Sequence, residues 1–150
     1  MTLLLAGCGF QLQGTLTVPE KMQQTYIATD DEYSVFYRRL REQLIANGIE
    51  VVDAVAESAA TLAIHVDDTG QRVLSVSARN VPTEYEVYYS VEYSVSSGAE
   101  VLQPRQFITQ TRDYTYDETL VLGKAREEQL MRDSLVDDLV RIVLKQLGSI

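Results

Sequence analysis

Cysteine occurs once in these 150 residues, histidine once and tryptophan not at all. One cysteine excludes a disulfide within the chain. One histidine beside one cysteine leaves no ligand set for zinc, and no acid pair has calcium-loop spacing. Long apolar runs are missing too, so no segment reaches the roughly 18 residues that a membrane-spanning helix needs. Basic residues are few: 13 Lys and Arg stand against 22 Asp and Glu, a formal net charge of −9. That balance argues against a nucleic-acid partner, which would call for a basic face. Any polyanionic ligand must then be met by a local group of Arg and Lys acting against the overall field. The H-E-x-x-H, P-loop, G-x-G-x-x-G and G-x-S-x-G patterns are all absent. No metal, cofactor or catalytic residue is expected, and the chain reads as a non-enzyme. No repeat or low-complexity tract is present.

What is present begins with the cysteine itself. Cys8 closes a short apolar run, Leu3-Leu4-Leu5-Ala6-Gly7. This looks like a bacterial lipobox, in which small residues admit a processing enzyme and the thiol carries the lipid. Each buried CH2 of an acyl chain contributes about 0.8 kcal/mol, so several chains hold a domain firmly at a bilayer. Residues 1–8 are read as the remnant of a lipoprotein signal, residues 9–22 as a tether and residues 23–150 as one domain. A domain of that size holds a core without disulfides or metals.

Along the domain, residues 24–29 predict a short strand. Thr29 stands three residues before Glu32, a capping-box spacing. Tyr33, Phe36, Tyr37, Leu40 and Leu44 then recur at helical intervals until Asn47-Gly48 ends the helix. Ile49, Val51 and Val52 suggest a further extended piece. Residues 61–78 read as one long bent strand, with Gly70 as a bulge or turn. Residues 84–95 alternate strictly: Tyr85, Val87, Tyr89, Val91, Tyr93 and Val95 against polar neighbours, a strand with one buried and one wet face. A turn at residues 96–98 leads to a returning strand over 101–116. A linker over 117–123 precedes a second helix over 124–147, with Met131, Leu135, Leu139, Ile142, Val143 and Leu147 as its stripe. Two amphipathic helices and a half-wet sheet bury their apolar faces only against each other. The expectation is an α+β two-layer sandwich, two helices on one face of a four-stranded mixed sheet, in the order β-α-β-β-β-α.

The chemistry-bearing residues mostly have plainer uses. His65, between Ile64 and Val66, reads as a strand histidine. Asp30/Asp31 and Asp137/Asp138 read as helix-start charge and a solvated helix face. Asp67/Asp68 would be the carboxylates of a remote hydrolase reading. Tyr85, Tyr89 and Tyr93 read as core facing helices rather than as a stacking platform. Tyr88, on the opposite face, is the better contact residue.

The start Ala6-Gly7-Cys8-Gly9-Phe10-Gln11-Leu12-Gln13-Gly14 resembles that of the lipopolysaccharide-assembly lipoproteins, the LptE or RlpB family. So do a Val-Pro (Val18-Pro19), the run Leu-x-x-Gln-Leu-x-x-Asn-Gly-Ile-Glu-Val-Val (residues 40–52), Arg79-Asn80 ahead of Glu84-Tyr85-Glu86, and the closing helix. The resemblance spans essentially the whole chain. It implies an outer-membrane lipoprotein, held through acylated Cys8, that plugs the LptD β-barrel and takes part in moving lipopolysaccharide to the outer leaflet. Gly9 after the cysteine fits sorting to the outer membrane. The resemblance also implies lipopolysaccharide contacts at Arg79, beside the Asn of a strand-to-strand loop, and at Lys124, just ahead of the last helix. The competing expectation is a stand-alone periplasmic lipoprotein that carries a lipid or glycan on its tyrosine-rich sheet.

Overall fold

A computed structural model of the protein describes residues 19–55, 60–115 and 121–150, with the backbone alone over 121–125. After a 3₁₀ turn at Glu20–Met22 come β1 (Gln24–Ala28), α1 (Val35–Ala46), β2 (Glu50–Val52), β3 (Ala60–Val76), β4 (Pro82–Ser97), β5 (Glu100–Thr115) and α2 (Val121–Leu147). They build one mixed sheet in the order β2-β1-β3-β4-β5. The two helices cover one face of it. The sheet has five strands where four were expected: Glu50–Val52 pairs in parallel with β1 and adds the outer strand.

The first helix starts later than the capping-box spacing predicts. Thr29 Oγ1 accepts from the Asp31 amide and Asp31 Oδ1 from the Tyr33 amide. These side chains therefore close turns instead of capping a helix. Ser34 is the real N-cap, its Oγ accepting from the Tyr37 amide at 2.9 Å. Tyr33, expected on the apolar stripe, is 88% exposed. The other end follows the sequence. Gly48, at φ +86°, sits where α1 stops. Ile49 N–H bonds to Leu44 O and Gly48 N–H to Ile45 O, a Schellman motif that seats Ile49 against Leu44 in the core.

The core is the inward row of β4, namely Val87, Tyr89, Val91, Tyr93 and Val95, roofed by Phe36, Leu40 and Leu44 of α1 and by α2. On α2 the buried stripe is wider than expected. Val136, Val140 and Leu144 join Leu135, Leu139, Val143 and Leu147 because the helix meets both the sheet and α1. α2 also begins earlier, so residues 121–123 are helical rather than linker. Met22, at the end of the stretch read as a tether, is fully buried, and Thr25 Oγ1 donates to its carbonyl at 2.8 Å.

β3 is one long strand, as expected, but its irregularities lie at His65 and around Ser75 and not at Gly70. The register with β4 slips between Ile64 and Val66. One extra residue flips the strand's facing: Leu62 and Ile64 are buried before it, whereas Asp67 and Thr69 meet the helix side after it. Gly70 lies in regular register opposite Tyr88, whose ring covers it closely enough that a Cβ there would stand 2.6 Å from the hydroxyl.

Two measurements test this core. Leu139→Ala removes a fully buried side chain and should cost about 2–5 kcal/mol in urea unfolding, whereas Ile45→Ala on the exposed side of α1 should stay within about 0.5 kcal/mol. Burial pushes the Tyr93 hydroxyl up to about 12, and its proton is donated to Gln146 Oε1. A pKa raised in the folded state makes its stability complete below the unfolded value of about 10 and lost as pH climbs towards the folded one. Unfolding curves should therefore weaken between pH 10 and 12, and Tyr93→Phe should make that limb shallower, leaving the share due to Tyr89, while costing about 1 kcal/mol at neutral pH.

Candidate functional site

The sheet has two distinct ends. At one, Lys21 Nζ pairs with Glu100 at 2.6 Å, tying the start of the described chain to the β4–β5 turn. Gly98, at φ +57°, makes that turn in two residues. The last turn of α2 also lies at this end, where Tyr93 reaches Gln146. At the other end stands the β3–β4 turn. Asn80 N–H bonds to Ser77 O at 2.9 Å, and Ser77 N–H to Val81 O at 2.7 Å. Asn80 sits at φ 61°, a left-handed conformation that asparagine tolerates. This is a three-residue hairpin loop, and it holds Arg79 out in solvent at the tip.

Helix length decides what surrounds Arg79. β3 has 17 residues, about 56 Å at 3.3 Å each. α1 has 12, about 18 Å. α1 therefore stops short of the far half of β3. There Val73, Leu74 and Val76 are 47, 46 and 53% exposed, an apolar fringe directly behind the Arg79 turn. Sequence reasoning passed over it. The signal was the run Val73-Leu74-Ser75-Val76, which breaks period-two alternation and coincides with register shifts around Ser75.

Lys124 lies inside the first turns of α2, not ahead of the helix. Its end of the helix points towards Arg79, because Arg132 Nη1 donates to Thr69 Oγ1 at 2.6 Å while Gln146 meets Tyr93 at the opposite end. The two predicted residues therefore share an end of the molecule but not a loop. Cys8 lies outside the described residues.

The other candidates stay apart. His65 is exposed in the bulge, with Nε2 2.8 Å from Ser94 Oγ. Asp67 faces the opposite side of the sheet, where it accepts the Tyr89 hydroxyl at 2.6 Å. Burial, reinforced by that bond, pushes the Tyr89 hydroxyl well above its ordinary range. Among the described residues no group of three His, Cys, Asp or Glu could hold a metal ion. Tyr89 and Tyr93 are core and Tyr85 stacks on Tyr114 with ring centroids 5.6 Å apart, so the inward tyrosines pack rather than form a platform.

Among the described residues no helix covers the sheet's other face. Arg72 pairs with Glu86 and Arg105 with Glu92 on it, Ser90 and Thr109 share a hydrogen bond, and Tyr88 lies over Gly70. Among the described residues no helix is long and apolar enough to cross a membrane. The molecule thus offers a cationic, apolar-backed tip at one end and a polar open face along its length.

Residues 22–147 match the lipopolysaccharide-assembly family LptE. The LPS-assembly lipoprotein LptE of Yersinia pestis is 27% identical over 146 residues, 97% of this chain and 70% of that protein. Among solved structures, rare lipoprotein B from Shewanella oneidensis superposes with a TM-score of 0.73 at 28% identity, over 84% of this chain and 94% of that one. The uncharacterized lipoprotein B from Nitrosomonas europaea does so with 0.76 at 25%, over 95% and 92%. A match running from the buried Met22 to the last turn of α2 takes in every strand and both helices, and the chain belongs to the LptE lipopolysaccharide-assembly family.

Proposed function

We propose that this chain works as an acylated lipoprotein of the outer membrane, anchored through Cys8, that seats inside the LptD β-barrel and helps lipopolysaccharide reach the outer leaflet. One observation carries the reading. The described chain starts at the Glu100 end, and Arg79 stands at the other end of a sheet about 50 Å long. That length exceeds a hydrocarbon core of about 30 Å. A domain tethered at one end thus has the reach to present its other end across the membrane, provided a wide barrel shields it. The open face supports this role, since wide barrels have polar lumens and its paired charges and hydroxyls suit water or a polar wall.

At the tip, Arg79 and Lys124 meet the anionic groups of lipopolysaccharide. Arginine grips phosphate with a forked pair of donors and lysine acts as a point charge. Val73, Leu74 and Val76 give the acyl part an apolar edge beside those charges.

A detergent extract tests the barrel: the chain should co-purify with a β-barrel several times its mass, and a chain that emerges alone with a small lipid or glycan would favour the carrier instead. The Arg79→Glu/Lys124→Glu variant should bind lipopolysaccharide about tenfold more weakly in titration calorimetry, from two charge-assisted contacts discounted for exposure. Its unfolding and its barrel recovery should not change. Unaltered lipopolysaccharide affinity would remove both residues from the site.

A further inference from the structure

The sheet closes at one edge with a three-residue strand and stays open along the other. β5 carries 16 residues, and among the described residues no strand pairs with its outer side. From Gln106 to Thr115 its register with β4 is unbroken. That stretch holds no proline, lysine or bulge, the usual guards of a free edge. Pro104 lies just before it.

Two large apolar side chains flank this edge, one on each side of the sheet. Phe107 is on the open face and is 64% exposed. Leu130 lies on the flank of α2 that, one and two turns on, places Ser134 and Asp138 against Arg112 of β5; it is 61% exposed. The charges along the strand are lopsided. Arg105 pairs with Glu92 only loosely, at 3.5 Å, and remains largely in solvent. Asp113 has no cationic partner among the described residues, since the Arg72 beside its cross-strand neighbour Glu86 is already taken up by that acid.

We infer that in the free protein β5 pairs antiparallel with β5 of a second copy, about a twofold axis through Thr109. Carried one residue past the regular stretch, into the bulge at Pro104-Arg105, that register brings Arg105 of each copy beside Asp113 of the other, so both the loose cation and the carboxylate gain a partner. Phe107 faces Thr111, an aromatic against a β-branched residue, which is a favourable cross-strand pair. Both sets of helices fall on the same side, and each Leu130 turns towards the neighbouring α2. Shifting the axis to Ile108 or Gln110 keeps the faces matched but leaves Arg105 opposite Thr111 or Thr115 and Asp113 opposite Gln103 or Phe107. Only the Thr109 register joins the opposite charges, and it does so twice, as an isologous contact requires.

Sedimentation equilibrium of the full chain over a wide concentration range tests this, with circular dichroism confirming that each variant folds. The unmodified chain should show reversible dimers. Arg105→Asp sets two acids face to face at both symmetric sites and should weaken dimerisation about tenfold or more. Asp113→Arg should do the same with two bases. The double exchange R105D/D113R should restore it. A chain that stays monomeric throughout, or a double exchange that dimerises no better than either single variant, would overturn the pairing. Neither result bears on the barrel reading, which rests on the tip and the anchor.

Discussion

The structure depends on burying the inward row of β4 beneath two helices of unequal length. Val87, Val91, Tyr93 and Val95 are sealed from solvent at the centre of the sheet, and both helices touch the same cluster. At about 25 cal/mol per Å2 such a row is the largest favourable term available to a domain without disulfides. Everything exposed follows from what the helices fail to cover. They leave one face wholly open because they sit on the other. They leave the far end of β3 bare because α1 is short. They leave the β5 edge unpaired because α2 lies over that strand rather than beyond it.

Period decided how much of this was legible. β4 alternates without a break, so its two faces, and the core role of Tyr89 and Tyr93, could be read directly. The Asn47-Gly48 stop was legible because only a residue free at positive φ closes a Schellman motif there. β3 was harder. A bulge inserts one residue, and nothing in Leu62-Ala63-Ile64-His65-Val66 announces which one; by period two Val66 continues the row of Leu62 and Ile64, yet it pairs across from Glu92 on the open face. Thr29 misled for another reason. Its hydroxyl, with Asp31, satisfies local amides in turns, and those turns compete with the helix start that the same residues suggest.

The site was legible in part. Arg79 follows from an Arg-Asn turn between two strands, and the hairpin puts it at the tip. The apolar fringe was not read, since its exposure depends on where α1 begins, and the Thr29 spacing places that start too early. Lys124 was expected in a loop because Gly123 looked like a linker residue; the helix runs through it. A glycine costs a helix about 1 kcal/mol, which a 27-residue element packed on the sheet absorbs.

Net charge is the remaining difficulty for a chain proposed to meet a polyanion, and distance resolves it. At physiological ionic strength exposed charges are screened beyond about 8 Å. The sheet is several such lengths long, so acids at the Glu100 end, and those on α1 and the later part of α2, contribute little at the Arg79 turn. What a phosphate at the tip feels is local. There Arg72 already neutralises Glu86, Glu84 is the acid nearest the turn, and Arg79 carries no acidic partner among the described residues. An overall charge of −9 then has a separate effect: it disfavours adhesion of the body of the domain to the anionic surface that the tip is proposed to touch.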